Sequence, residues 1–413
     1  MIQIHQVLAT LGYGDAIGHE VLGIQRVLRG QGYESEIFVE TADERLESLT
    51  RDYRELVDFS HPDNLLLHHF SIGSKASRTA FALPDRMALI YHNITPPEYF
   101  VDVHRILARQ CFRGRRELRA YADRSDLALG DSEFNRQDLE RLGFRRTAVL
   151  PVVPSFLHLD QPPNRIGADL FDDAWTNILF VGRVIPNKRI DELIRCFQAY
   201  HTIFNSRSRL LIVGAHGGLE RHLATLHQLA AVLDISSHVH FTGHVSDEEL
   251  VAYYEIADLF LCASEHEGFC VPIVEAFYKE VPVLAHAATA VPATMDGAGV
   301  LYEDKDPRHV ASLMDAIISS CSIQEAVVQA QLEAVRRLRS KDFAGMLLGF
   351  VQQILGAPRM SQPRLTSDFW QQFNAAEELE ELRLFRPSIY KALPTQPGHN
   401  SQFAVDDAVD DDS

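Results

Sequence analysis

Residues 264–276 read Ser-Glu-His-Glu-Gly-Phe-Cys-Val-Pro-Ile-Val-Glu-Ala and follow a short apolar run, 258–262, that predicts a buried strand. Pro272 is suited to the first turn of a helix, because the N–H that proline lacks has no partner there. The free amides of residues 268–271 would then point away from the helix start, where helices bind phosphate. The stretch therefore predicts a strand, a phosphate-binding loop and a helix.

Two carboxylates flank this predicted phosphate site. Glu267 precedes it, and Glu275 lies about one turn into the helix, with seven residues between them. Carboxylates accept hydrogen bonds from hydroxyl groups and do not bind phosphate. A phosphate site between two hydroxyl acceptors indicates a sugar nucleotide as the ligand.

The spacing of the two glutamates resembles the Glu-x7-Glu signature of the retaining glycosyltransferases of family 4. The resemblance extends over about residues 177–317 and more loosely over the first half of the chain. It implies the α/β fold known as GT-B, with two Rossmann-like domains facing each other across a cleft and C-terminal helices returning toward the first domain. The alternation of short apolar runs with longer amphipathic ones independently predicts α/β units with parallel sheets.

We predict four regions on this basis. Residues 1–160 form an acceptor-side domain, residues 161–345 a nucleotide-sugar-binding domain, residues 346–390 the returning helices, and residues 391–413 a disordered acidic tail.

Composition narrows the function further. The chain has 413 residues, which favours two domains, and a net charge of −18, which disfavours nucleic acid as a partner. The five cysteines are scattered without C-x-x-C spacing, so we expect neither a disulfide framework nor a zinc site. No apolar run is long enough to span a bilayer and no leader is evident, so the expected location is the cytoplasm.

A second group of residues follows the strand predicted at 178–181. Gly182 lets the backbone pass close to a ligand, and Arg183 and Lys188 place two cations at the carboxyl end of that strand. Fixed cations stabilise a departing diphosphate without a metal. The segment is similar to the Gly-Arg…Lys diphosphate clamp of the family, so neither metal nor cofactor is expected.

The resemblance assigns roles to individual residues. Glu275 holds the ribose hydroxyls, and Glu267 holds hydroxyls of the donor sugar. Cys270 stands where the family often has glycine and is expected to contribute its amide, not a nucleophile. The full set of predicted donor-binding residues is Gly14, Gly182, Gly214, His244, Val245, Gly268, Phe269, Cys270, Val271 and Glu275.

The first domain supplies two further candidates. Asp15 lies in a glycine loop, 11–18, where it could face the acceptor hydroxyl or cap the next helix. His92 directly follows a predicted strand, where it could contact the donor sugar or serve a structural role. The predicted catalytic set is Arg183, Lys188, Glu267, His92 and Asp15.

The arginines between Arg105 and Arg119 have helical spacing with apolar residues interleaved. Such a helix could make weak contact with the inner membrane surface, as in relatives that act on lipid-linked acceptors, or could be a solvated face. Asp304 and Asp306 match the Asp-x-Asp of metal-dependent transferases, but they lie late in the chain, and we treat the match as chance.

The resulting prediction is a retaining, metal-independent hexosyltransferase. It would use a GDP- or UDP-sugar and a sugar or lipid-linked glycan acceptor, in surface polysaccharide biosynthesis. Three alternatives remain: a GT-B sugar-nucleotide epimerase, an NAD-linked dehydrogenase suggested by the first glycine loop and Glu40, and a non-catalytic scaffold that binds sugar nucleotides.

Overall fold

The computed structural model describes residues 2–14, 16–152 and 156–359, and these form two compact units. The first unit contains the chain up to Asp131, the segment Asn135–Leu150 and the described residues from Ala344 onward. The second contains Ser132–Phe134 and Pro151–Phe343. Asp15, the predicted tail at 391–413 and most of the predicted helices at 346–390 lie outside the described residues.

The first unit is built from short strands that alternate with helices. Its strands are β1 (Ile4–Leu11), β2 (Ile37–Ala42), β3 (Arg51–Asp52), β4 (Leu65–Phe70), β5 (Arg86–Tyr91), β6 (Leu127–Gly130) and β7 (Thr147–Val149). Its helices are α1 (Ala16–Gly30), α2 (Leu56–Phe59), α3 (Lys75–Ala82), α4 (Arg105–Ala120) and α5 (Glu133–Arg141), whose first two residues are grouped with the second unit.

The second unit repeats the same alternation. Its strands are β8 (Thr176–Val181), β9 (Ser208–Val213), β10 (Val239–Gly243), β11 (Leu259–Cys262), β12 (Val283–His286) and β13 (Val300–Tyr302). The remaining helices are α6 (Ile190–Ile203), α7 (Glu220–Val232), α8 (Asp247–Glu255), α9 (Val271–Tyr278), α10 (Val291–Met295), α11 (Pro307–Ser319), α12 (Cys321–Arg339) and α13 (Phe343–Gly356), and α13 belongs almost entirely to the first unit.

Each unit contains one parallel sheet whose strand order reverses in the middle. The first sheet has the order β3-β2-β1-β4-β5-β6-β7, and the second has the order β10-β9-β8-β11-β12-β13. The reversal occurs between β1 and β4 in the first unit and between β8 and β11 in the second. Open parallel sheets bind ligands beyond the carboxyl ends of the strands at this point.

The core of the second unit explains why its strands are apolar throughout. Ile178 and Phe180 of β8 pack into one core together with α6, α7 and α11, whereas Leu179 packs into another with α8, α9 and α12. Successive side chains of a strand point to opposite faces, so a sheet covered by helices on both faces needs apolar residues at every position. This three-layer arrangement is the Rossmann-like unit predicted from the sequence.

One strand of the first sheet was not predicted, whereas the helix α13 falls in the first unit, as the predicted returning helices require. The two-residue strand β3 is too short and polar for any pattern to reveal, and it pairs at the sheet edge with Phe38 and Val39 of β2. The helix α13 is held in the first unit by Arg86, whose guanidinium donates to the carbonyl oxygens of Leu355 at 3.1 Å and Ala357 at 2.9 Å. These bonds satisfy carbonyl groups that a helix end leaves without partners.

The arginine-rich segment forms α4, as its spacing predicted. His104 caps the helix by accepting a hydrogen bond from the amide of Leu107 at 3.0 Å, and Arg115 forms an ion pair with Asp138 at 3.2 Å. Among the described residues, no single helix has the length and apolar character needed to cross a membrane. One sharply bent pair, Pro307–Ser319 with Cys321–Gly356, has the required length and composition.

Candidate functional site

The turns that follow β8, β9 and β10 are joined by backbone hydrogen bonds at the carboxyl edge of the second sheet. The amide of Gly182 donates to Val213 at 2.9 Å, and the amide of Gly214 donates to Gly243 at 2.9 Å. A Cβ atom at Gly214 would lie 2.0 Å from the carbonyl oxygen of Gly182, and the φ of Gly214 is +149°. Glycine at 214 is therefore required to bring the two turns together.

Lys188 and Glu267 meet at the point where the strand order of the second sheet reverses. Lys188 ends a 3-10 helix, Pro186–Lys188, after β8, and Glu267 lies in the loop after the neighbouring strand β11. Their Nζ and Oε1 atoms are 2.6 Å apart. Burial opposes the lysine charge, but the charge and hydrogen bond of Glu267, together with the nearby Cys270 and Cys262, outweigh it and raise the pKa of Lys188. The ammonium group therefore stays charged at neutral pH.

The loop that carries Glu267 is held by polar contacts on both sides. The Glu267 amide donates to the hydroxyl oxygen of Thr289 at 2.9 Å. The Asn187 side chain donates to the carbonyl oxygen of His266 at 3.0 Å, while its backbone oxygen accepts from the Glu265 amide at 2.9 Å. Lys188 and Glu267 are thus supported by a shared network and not by their ion pair alone.

The start of α9 has the geometry predicted for a phosphate site. In the described part of the chain, no hydrogen bond engages the backbone amides of Gly268, Phe269, Cys270 and Val271. Cys270 has a φ of +75°, a left-handed conformation that glycine adopts easily and cysteine does not. Strained backbone of this kind is concentrated at functional sites.

Glu275 is buried on the first turns of α9 and is held at both oxygens. His158 Nε2 lies 2.9 Å from Oε1, and the Tyr254 hydroxyl donates to Oε2 at 3.1 Å. Burial, followed by the nearby negative charge of Glu275, raises the pKa of Tyr254, so that residue remains a donor. The carboxylate is oriented before any ligand binds.

Two cysteines meet beside this site, although eight positions separate them in sequence. The Cys262 and Cys270 sulfurs and a Glu267 oxygen lie within 4.8 Å of one another. The hydrogen bond of Cys270 with Cys262, together with burial, raises the pKa of the Cys270 thiol, which does not favour a nucleophilic thiolate. Lys188 already supplies the positive charge next to Glu267, so we interpret this cluster as part of the loop's packing.

The cations near the site differ in their surroundings. Arg189, at φ +49°, is neutralised by Asp191, Glu192 and Glu265. The guanidinium of Arg183 is exposed and has no hydrogen bond or ion pair with any residue the structure describes. Arg183 is therefore available to a ligand, whereas Arg189 is committed to the fold.

The two residues predicted to contact the nucleobase occupy the turn after β10. His244 is exposed, and Val245 is partly buried against the core that also contains α8 and α9. Their contact with a base stays a prediction.

His92 lies in the first unit, beyond β5, and its side chain is only 1% exposed. Its Nδ1 is 2.9 Å from Asp131 Oδ2, and its Nε2 is 2.9 Å from His69 Nδ1. Both ring nitrogens are therefore engaged, and direct contact between the imidazole and a substrate would require one of these bonds to break. Gly14 adopts φ +72° in the glycine loop after β1.

Glu20 of α1 approaches the same histidine. Its Oε2 lies 3.9 Å from His92 Nδ1, and burial, followed by the negative charge of Asp131, raises the pKa of Glu20 to about 8. Neither Glu20 nor Asp131 was selected from the sequence, because each is an isolated acid in an unremarkable context.

The supporting residues His158, Tyr254, Thr289 and Asn187 were likewise not predicted. His158 reaches Glu275 across 117 positions in sequence, and Tyr254 is one of several aromatic residues on a core helix. No local pattern indicates such partners. Of these four residues, Asn187 alone has a signal in the sequence, because it is adjacent to Lys188.

Most of the second unit matches a known family, and most of the chain matches the fold of solved structures. Residues 170–332 match the family described as glycosyl transferases group 1. The O-antigen chain mannosyltransferase B of Escherichia coli is 27% identical over 253 residues, which cover 58% of this chain and 63% of that relative. The chain thus spans less than two thirds of the length of that curated relative.

Two solved structures share the fold at low sequence identity. The sucrose-phosphate synthase of Thermosynechococcus elongatus has a TM-score of 0.66 at 17% identity, covering 87% of this chain and all of that one. Anabaena HepE in complex with UDP-glucose has a TM-score of 0.64 at 17% identity, covering 86% of this chain and all of that one. These likenesses confirm the predicted GT-B fold class.

Proposed function

We propose that this chain, whose residues 170–332 match the group 1 glycosyltransferases, transfers a hexose from a nucleotide-diphosphate sugar to a sugar or lipid-linked glycan acceptor. The observation that carries the proposal is the meeting of Lys188 and Glu267, 2.6 Å apart, at the switch point of the second sheet. Lys188 can bind the diphosphate of such a donor, and Glu267 beside it can accept hydrogen bonds from the hydroxyl groups of the sugar.

In the proposed reaction, Arg183, Lys188 and the amides at the start of α9 receive the diphosphate. Glu275 accepts hydrogen bonds from the ribose hydroxyls, and Glu267 accepts them from the sugar. The two side-chain cations neutralise the charge that develops on the leaving diphosphate, and no metal is required for this step.

We further propose that transfer retains the anomeric configuration. The acceptor oxygen bonds to the anomeric carbon on the same face from which the diphosphate departs, and a phosphate oxygen takes the acceptor's proton. Lys188 holds Glu267 in an ion pair, which argues against Glu267 as a nucleophile and favours this direct route.

The relatives suggest which donors to test first. HepE was solved with UDP-glucose, and the E. coli relative is a mannosyltransferase of an O-antigen chain. GDP-mannose and UDP-glucose are therefore the leading candidate donors. We propose that the reaction belongs to surface polysaccharide biosynthesis and takes place at the cytoplasmic side of the membrane. Weak contact of α4 with the membrane surface is part of the same proposal.

A thermal-shift screen of GDP-, UDP- and ADP-sugars tests donor binding, because a ligand that binds only the native state raises Tm. The proposal predicts that sugars of one nucleotide class raise Tm. It also predicts that the sugar is transferred to an added acceptor, which NMR of the anomeric proton can monitor. Release of an epimerised sugar nucleotide would identify an epimerase, and binding without any turnover would identify a scaffold.

A further inference from the structure

The first unit contains a buried group of ligand atoms, one of them from the predicted catalytic residue His92, to which the transfer steps proposed above assign no role. Glu20, His92 and Asp131 each offer one atom, and these atoms lie within 4.8 Å of one another. They come from α1 and from the positions that directly follow β5 and β6. The cluster therefore lies at the carboxyl edge of the first sheet.

A chain of hydrogen bonds fixes the tautomer of His92. The Gln6 side-chain amide donates to the carbonyl oxygen of Val21 at 3.1 Å, so its Oε1 faces His69 Nε2 at 2.9 Å. His69 Nε2 must then carry a proton, and a buried neutral imidazole has none left for Nδ1. His69 Nδ1 accordingly accepts from His92 Nε2–H.

This tautomer directs a lone pair of His92 at two carboxyl groups. With the proton on Nε2, the neutral ring presents Nδ1 as an acceptor toward Asp131 at 2.9 Å and Glu20 at 3.9 Å. A histidine that ligates a metal commonly donates its other N–H to a second polar group, which fixes the ring. His69 has that relation to His92.

The carboxyl groups have unsatisfied oxygens. Glu20 Oε1 and Asp131 Oδ1 are buried without a hydrogen-bond partner in the described chain, and Glu20 and Asp131 are 9% and 6% exposed. Among the described residues, neither carboxylate pairs with a lysine or arginine. One proton on His92 would satisfy only the Asp131 oxygen that already faces it, and the other two acceptors would remain without partners.

We propose that Glu20, His92 and Asp131 bind a divalent transition-metal ion, such as Mn²⁺ or Zn²⁺. One imidazole nitrogen and two carboxylates suit these ions better than Mg²⁺ or Ca²⁺, which prefer oxygen ligands alone. Ligand atoms that each lie about 2.1 Å from such an ion are roughly 3 to 3.5 Å from one another. His92 Nδ1 lies at similar distances from Asp131 Oδ2, 2.9 Å, and from Glu20 Oε2, 3.9 Å. A bound ion would connect α1 to the ends of β5 and β6, and the proposal does not depend on glycosyl transfer.

Binding of Mn²⁺ to the chelator-treated full chain tests the proposal, with titration calorimetry for stoichiometry and pulsed electron paramagnetic resonance for the ligands. We expect one ion per chain and ¹⁴N modulation from a directly bound histidine. Absence of binding, or binding without ¹⁴N modulation, would overturn the proposal, and both outcomes are obtained on the unmodified protein.

The variants Glu20→Gln and Asp131→Asn keep the shape of each side chain and should each weaken Mn²⁺ binding at least tenfold. Asp43→Asn, an acid of the same unit paired with Arg45, should leave binding unchanged. Unaltered affinity in either correctly folded cluster variant would place the ion elsewhere. A pH-dependent Tm that no metal alters would show that protons alone neutralise the cluster.

Discussion

At the scale of single residues, the pairing of Lys188 with Glu267 links stability to activity. Lys188→Met removes the charge and leaves Glu267 buried without its partner, which should lower the free energy of unfolding by about 3 kcal/mol. Adding Glu267→Gln removes the uncompensated charge and should restore part of that loss. Urea denaturation of both variants measures this, and a single variant as stable as the natural protein would contradict the pairing.

The orientation of Glu275 supplies a second prediction at this scale. Tyr254→Phe removes the hydroxyl that donates to Oε2 and should weaken binding of the nucleotide sugar by about tenfold, the low end for a hydrogen bond to a charged group. Tyr278→Phe is the matched control, because that hydroxyl contacts Asp160 instead. Equal affinities of the two variants in calorimetry would mean that Tyr254 does not position Glu275.

At the scale of secondary-structure elements, the start of α9 depends on the left-handed conformation of Cys270. Cys270→Gly and Cys270→Ala both delete the thiol, but only alanine keeps a Cβ at φ +75°. The glycine variant should therefore be the more stable of the two by about 1 kcal/mol. Thermal unfolding compares them, and an alanine variant equal to or more stable than the glycine variant would show that the conformation costs little.

The sequence predicted these elements well where the hydrophobic periodicity coincides with a residue that marks an element's end, such as proline. Pro272 marked the start of α9 to within one residue, and the apolar runs located β8 and β11. The sequence selected Arg183 by resemblance, but it could not show that Arg189 is neutralised, since acids such as Glu265 approach that arginine only in the folded loop. The same reason hid His158 and Tyr254, whose roles arise from packing between distant segments.

At the scale of the whole molecule, buried neutral histidines make the fold sensitive to acid. Burial lowers the pKa of His68 to about 3, and burial, opposed in part by Glu36 and Glu34, lowers that of His5 to about 4. Below pH 6.5 the unfolded chain binds these protons and the native state does not, so stability falls as pH falls from about 6.5 toward 4. Each histidine can contribute up to about 1.4 kcal/mol per pH unit.

Urea midpoints at pH 7 and pH 5 should record this loss, and the variant His68→Leu should show a shallower dependence. A pH dependence of His68→Leu as steep as that of the natural protein would mean that His68 titrates normally in the native protein.

The central claim is that cations at the switch point of the second sheet bind a diphosphate, and calorimetric titration with GDP and UDP tests it most directly. Arg183→Gln should weaken binding of the preferred nucleotide at least tenfold, because a charge-assisted contact of about 1.5–3 kcal/mol is lost. Arg221→Gln, which changes an exposed arginine on α7 of the same unit, should leave affinity unchanged. Equal affinity in the Arg183 variant and the natural protein would contradict the claim.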